Sequence, residues 1–250
     1  VDSGKTLEVY PIAIPPGVTV TSFAQGSPTT GVVAYGLSDG RAVIVKHKYK
    51  VTYPGDVRLI TPLLEYPLGE EPVVLDSTGK ALEKIAVKKD ENLTTIVAKT
   101  ADQRIVLTGF EQEESLFGDE AELERSEAVL EIPAREISFI LLDKEQRSLY
   151  LASSDGRLSY VDVSNKSNPV INQHLNIVPA GEKITSLEFL NGDLSLLVGD
   201  SRGLISQWSL VRDEQNRPAL QKLRAFKLSD NPITAIVSEQ RRKGFIAVDA

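Results

Sequence analysis

The chain alternates short apolar runs with short polar breaks, and no apolar run is long. The stretch from Ile184 to Arg212 shows the pattern most clearly. Three runs, Ile184–Leu190, Leu194–Val198 and Leu204–Leu210, are separated by Asn191-Gly192-Asp193 and by Gly199-Asp200-Ser201-Arg202-Gly203. Glycine tolerates positive φ, and Asn and Asp side chains bond their own backbone, so both breaks are turns. Runs of this length joined by turns this short predict a meander of antiparallel strands. The third run alternates, with Leu204, Ser206, Trp208 and Leu210 on one side and Ile205, Gln207 and Ser209 on the other. A sheet this small cannot bury both of its faces alone, so it needs similar units stacked beside it.

The chain supplies them. Strand-like openings begin at Val20, Leu93, Ile137, Ile184 and Ile233, with gaps of 73, 44, 47 and 49 residues. The last three lie in or near the band of roughly 40–50 residues per four-stranded propeller blade. The long gap implies an insertion near 54–79, a stretch with four prolines and three glycines. Turn identity supports the repeat. Ser38-Asp39-Gly40-Arg41 and Ser154-Asp155-Gly156-Arg157 are the same tetrapeptide, Asp200-Ser201-Arg202-Gly203 is a variant, and Thr100-Ala101-Asp102-Gln103-Arg104 is a version without glycine. Five residues past each glycine fall Val45, Val161 and Trp208, expected at equivalent positions facing a neighbouring sheet.

The predicted fold is therefore all-β, a β-propeller of four-stranded antiparallel blades. About five blades are visible, at 18–80, 81–134, 135–180, 181–230 and a partial one at 231–250, within a single domain. Residues 6–14 are expected to add a closing strand to the last blade, and at least one further blade is expected beyond Ala250 in a longer parent chain. An unpaired strand edge attracts another strand, so a chain ending here is expected to self-associate. Glu111–Glu127, with eight carboxylates in 17 positions, is expected as a solvated loop.

Composition narrows the functional classes. A chain of 250 residues buries roughly 70–75% of its unfolded surface and needs no staple. Lys and Arg total 28 against 35 Asp and Glu, a net charge of -7. That balance argues against a general nucleic-acid or anionic-membrane surface. The absence of cysteine removes disulfides, thiolate metal sites and cysteine nucleophiles, and suits an oxidising compartment. No run approaches the roughly 20 apolar residues of a membrane span, and no signal peptide is visible. The chain starts at Val1 and lacks methionine, as a processed chain or an excised segment would.

Candidate chemistry is sparse. Ser3-Gly4-Lys5-Thr6 matches the end of a phosphate-binding loop, but a strand follows it where that chemistry needs a helix. His47 and His174 occupy different phases of the repeat, so neither gains the converging partners a metal needs. No cofactor, metal ligand set or catalytic residue is assigned, and the chain is expected not to be an enzyme. Asp39, Asp155 and Asp200 are expected as turn formers, and Trp208 as inter-blade packing. The one dense basic cluster, Arg241-Arg242-Lys243, is the candidate site for docking a partner.

The blade pattern resembles WD40-like propellers with degenerate signatures: Val161-Asp162 stands where Trp-Asp would, and Trp208 is followed by Ser209. Two segments, Ser195–Asp213 and Ile233–Ala250, look like the large extracytoplasmic insert of proteobacterial phosphate ABC transporter permeases of the PstC type. That resemblance covers about the last 120 residues. It implies a non-catalytic domain at the periplasmic face of the bacterial inner membrane, in a membrane-anchored parent chain. It also implies partners among the phosphate-binding protein and the other transporter subunits, with no nucleic acid. The alternative is a free-standing WD40-like scaffold propeller that joins other proteins.

Overall fold

A computed structural model describes residues 9–27, 30–112, 123–132, 136–190, 192–239, 242 and 244–250. Its regular structure is strand apart from one turn of 3-10 helix at Pro54–Asp56. The first sheet runs β1 (Val20–Ser27), β2 (Val32–Leu37), β3 (Arg41–Thr52), β4 (Leu59–Glu65), with β5 (Val73–Val74) also paired to β3. The second runs β6 (Leu82–Lys89), β7 (Leu93–Thr100), β8 (Ile105–Gln112), β9 (Leu123–Leu130). The third holds β10 (Phe139–Leu142), β11 (Ser148–Ala152), β12 (Arg157–Asp162) and β13 (Val170–Asn176). The fourth holds β14 (Ile184–Phe189), β15 (Ser195–Asp200), β16 (Leu204–Arg212) and β17 (Pro218–Lys227). β18 (Ile233–Ser238) and β19 (Phe245–Asp249) make a two-stranded fifth sheet. All pairing is antiparallel between strands adjacent in each sheet, the meander predicted for 184–212.

The sheets stack in chain order, each interface closed by one apolar cluster. Val32, Ala34 and Ile44 of the first sheet meet Leu82, Val87 and Ile96 of the second. Val97, Ile105 and Leu107 of the second meet Leu149, Leu151 and Val161 of the third. Tyr150, Leu158 and Tyr160 of the third meet Leu196, Val198 and Trp208 of the fourth, whose Leu197 and Ile205 meet Ile233 and Ile236 of the fifth. Alternation along each strand sends successive side chains to opposite interfaces. Val161 and Trp208 each face the preceding sheet, and Val45 faces the corresponding side of the first. The first strands are the convergent ones: β1, β6, β10 and β14 line a common cavity. Radial stacking about an axis lined by first strands is a propeller.

Three of the five openings share a local device. In Val20-Thr21-Ser22, Ile184-Thr185-Ser186 and Ile233-Thr234-Ala235 the pairing register slips at the threonine. Each threonine hydroxyl donates to a carbonyl on the adjacent strand, at Gly36 (3.2 Å), Gly199 (3.2 Å) and Val248 (3.0 Å). Such a bulge re-aims the strand at its entry.

Leu93-Thr94-Thr95 imitates this signature, but β7 is the second strand of its sheet; the first is β6. Leu82-Glu83-Lys84 carries the same register slip without the threonine, and its bulge together with the lysines masks the alternation in sequence. First strands therefore start at 20, 82, 139, 184 and 233.

The extra length near 54–79 lies in the first sheet, where β3 and β4 form a hairpin longer than the sheet itself. Residues 9–14 form no strand. Ile12 and Ile14 instead pack, with Val18, on Val33, Leu37, Val43 and Val45 of the first sheet. The reason is local: Pro11, Pro15 and Pro16 remove ladder donors from the segment. In the acidic stretch, Glu111 and Gln112 end β8 and Leu123–Glu127 begin β9; residues between them lie outside the described ones.

Candidate functional site

Two places gather polar side chains: the rim formed by the turns between second and third strands, and the central cavity. The rim turns are built alike. Gly40, Gly156 and Gly203 have φ of 82°, 99° and 74°, the left-handed region that favours glycine. In the turn without glycine, Gln103 occupies the equivalent position at φ 69°. Each aspartate holds its own turn. Asp39 accepts from the Arg41 guanidinium at 2.7 and 2.5 Å, and Asp155 from that of Arg157 at 2.9 and 2.5 Å. Asp200 accepts from the backbone N–H groups of Arg202 and Leu204, both at 2.9 Å. The Arg41 guanidinium holds Asp39 below the usual carboxylate range; for Asp155 the Ser153 hydroxyl, then Arg157, does the same. These aspartates are turn formers, and their carboxylates are spent on the turns.

One rim residue also reaches a neighbouring sheet. Arg104, in the second sheet, donates to Asp102 at 3.0 Å and to Asp76 at 3.0 Å. Asp76 follows β5, its side chain is 1% exposed, and it also accepts from Thr78 Oγ1 (2.7 Å) and the Lys80 N–H (2.9 Å). This ties the tail of the first blade to the rim of the second. Burial opposes ionisation of Asp76, but these donors together hold its pKa below the usual value.

The central cavity, about 280 Å³, is lined by Gln25, Ile85, Val87, Lys88, Ile140, Leu142, Glu188 and Phe189 among others. Lys88 Nζ lies 3.7 Å from Asp193 Oδ2, which spans from the second sheet to the fourth. Asp193 sits at φ 58° in the turn after β14. Glu188 takes the Phe189 N–H at 3.0 Å, yet burial pushes its pKa up, with Asp193 adding to the effect and Lys88 opposing it. Burial also raises Asp143, in the turn after β10, although Arg147 and Ser148 N–H groups donate to it at 2.8 and 2.9 Å. Lys88 and Glu188 thus line the cavity, Asp193 reaches Lys88, and Asp143 lies near enough to Asp193 to feel its charge. Sequence reasoning missed them because no motif joins residues so far apart; the signal present was Glu188, the one charged residue of β14. Among the described residues no group of three or more His, Asp or Glu is placed to hold a metal ion.

Of the residues singled out in the sequence, Trp208 packs between the third and fourth sheets, its indole N–H donating to Ser206 at 2.9 Å. His47 and His174 are exposed and lie in separate sheets. His174 Nδ1 is 2.8 Å from Ser159 Oγ across β12 and β13, a nucleophile–base contact in which the serine is buried and no carboxylate orients the imidazole among the described residues. Ser3–Thr6, Arg241 and Lys243 lie outside the described residues. Arg242 is 85% exposed, with Nε 3.9 Å from Glu239 Oε1.

No family model matches the chain, and no curated protein matches its sequence. Solved structures do match. Sqt1 from Chaetomium thermophilum bound to the N-terminus of the ribosomal protein L10 is 14% identical, with 87% of this chain and 53% of that one covered and a TM-score of 0.46. Sqt1 solved alone gives 14% identity, coverages of 87% and 50%, and a TM-score of 0.48. Apo AztD from Citrobacter koseri gives 13% identity, coverages of 92% and 49%, and a TM-score of 0.49. The chain spans about half the length of each.

Proposed function

We propose that the chain is a non-catalytic, extracytoplasmic propeller domain of a phosphate ABC transporter permease. It stands at the periplasmic face of the bacterial inner membrane and serves phosphate import through protein–protein contact or sensing. The interaction role is supported by one observation above others. The rim is a row of short turns held rigid by their own Asp–Arg pairs and carried on buried sheets, which suits recognition on a fixed surface. The transport assignment rests on the resemblance of Ser195–Asp213 and Ile233–Ala250 to the permease insert.

The partners are then the soluble phosphate-binding protein and the other transporter subunits. Immobilised chain should retain the cognate phosphate-binding protein in a pull-down, and the phosphate-loaded and empty forms should differ in retention if the domain senses loading. Retention of neither form removes the docking role.

A further inference from the structure

β3 and β4 leave their sheet. Val32, the first residue of β2, pairs with Lys46, and the His47 N–H still donates to Gly31 O at 2.9 Å; from Lys48 onward the ladder of β3 is with β4 alone. The two strands continue as a ribbon, met at Pro62 by the Tyr10 hydroxyl (2.9 Å) and turned at Pro54–Asp56 with Gly55 and Asp56 at φ 57° and 64°. Directly paired residues share a face. One face therefore carries His47 with Leu64, Tyr49 with Pro62 and Val51 with Ile60; the other carries Lys48 with Leu63, Lys50 with Thr61 and Thr52 with Leu59.

Burial does not account for these apolar groups. Tyr49 is 69% exposed, Tyr53 66%, Val57 67%, Leu59 50% and Ile60 51%. Cations are concentrated in the same place: Lys46, Lys48, Lys50 and Arg58 against Asp56 alone between Lys46 and Leu59, in a chain of net charge -7. Lys48 is paired with Glu65 at the ribbon's base.

We propose that this ribbon docks the protein on an anionic lipid surface, with Tyr53, Val57, Leu59 and Ile60 entering the boundary between headgroups and acyl chains and Lys50 and Arg58 meeting the phosphates. Three features select lipid over other anionic partners. The apolar residues lie at the tip and on both faces of the ribbon, which a bilayer accepts from every side while a protein groove covers one. Tyrosines flank them, and the aromatic ring with a polar end favours the membrane interface. A nucleic acid would satisfy the lysines but leave Val57, Leu59 and Ile60 in water. The acidic remainder of the chain is repelled by the same surface, so the ribbon alone approaches it. The composition of the whole chain, which argues against an anionic-membrane surface in general, therefore hides a local exception. This docking needs only an anionic bilayer and stands or falls apart from the transporter assignment.

The absence of cysteine gives a clean test. A single environment-sensitive dye is placed at Val57→Cys, with Lys144→Cys on an exposed turn as control. With vesicles of phosphatidylglycerol and phosphatidylcholine the tip dye should shift to the blue and the chain should float with the vesicles. With phosphatidylcholine alone neither should occur; with the control dye the chain should still float with the anionic vesicles, but without the blue shift. Lys50→Glu with Arg58→Glu should weaken the partitioning by about fivefold or more for each cation lost. Tyr53→Ser with Val57→Ser should abolish the blue shift of a dye moved to Leu59→Cys. Unchanged Trp208 emission shows that the variants are folded. The proposal is overturned if the chain does not float, if neither double variant changes flotation, or if the ribbon binds an oligonucleotide or a second copy of the chain in preference to vesicles.

Discussion

The two ends of the stack are sheet faces of the same composition in opposite conditions. At the first sheet Val33, Leu37, Val43 and Val45 are buried, because Ile12, Ile14, Val18 and Tyr66 lie over them. At the fifth, Ile233 and Ile236 are buried against the fourth sheet, while Val237, Ile246 and Val248 on the opposite face are 62%, 72% and 53% exposed. Valine and isoleucine at strand positions do not determine their own environment; whatever lies over the sheet does. A stack of sheets has two terminal faces unless its ring closes, and in the described residues one is covered by the chain and the other is bare. The four interfaces between them are the reference against which both ends can be measured.

The largest effect should come from inside the stack. Leu151 is 1% exposed between the second and third sheets, so Leu151→Ala removes buried methyl groups from an apolar interface. It should cost about 2–5 kcal/mol in guanidinium unfolding. A cost near that of an exposed site would mean that the interfaces do not carry the stability.

Next comes the polar lock between the first two blades. The donors around Asp76 hold its folded pKa below its unfolded value of 3.8. The ionised carboxylate is thus favoured by folding. Its contribution is complete above the unfolded pKa and is lost as the pH falls through the folded one. Asp76→Asn should cost about 1.5–3 kcal/mol at neutral pH, the worth of hydrogen bonds to a charged group. The gap between variant and wild type should close below about pH 4. A gap that stays constant with pH would assign the loss to packing.

How much of this was legible in the sequence depends on whether the signal is local. The turn at 154–157 announces itself because a short hairpin needs a residue at positive φ, and Asp-Gly supplies it. Even the turn at 100–104, where Gln103 takes that conformation, keeps its Asp and Arg. The threonine bulge is equally local, and for that reason it misled at Leu93, where the same letters sit in a second strand. The axis residues were illegible for the opposite reason. Lys88 and Asp193 are far apart in the chain and meet only because first strands converge, a relation that no spacing within one blade encodes. The ribbon was half legible: its lysines and tyrosines are plain to see, but nothing in the sequence says that β2 ends before β3 does.

The smallest effect on stability, and the most telling about the ends, concerns the bare face. Val237 and Ile246 lie side by side on it, paired across β18 and β19. Each is more than half exposed, so Val237→Ser with Ile246→Ser should move the unfolding midpoint by no more than about 0.5 kcal/mol per site. At the covered end Ile14→Ser should cost about 1 kcal/mol, since Ile14 is half-buried on Val33 and Val45. Solution behaviour should reverse the ranking. An apolar face ending in an unpaired strand edge invites a second copy, and the association should be visible as a concentration-dependent sedimentation coefficient. The double serine variant should sediment as a monomer at concentrations where the wild type does not, whereas Ile14→Ser, by loosening the cover over the first sheet, should associate more strongly. If all three sediment alike, the exposure of Val237, Ile246 and Val248 has no consequence for assembly, and the ends differ in cover alone.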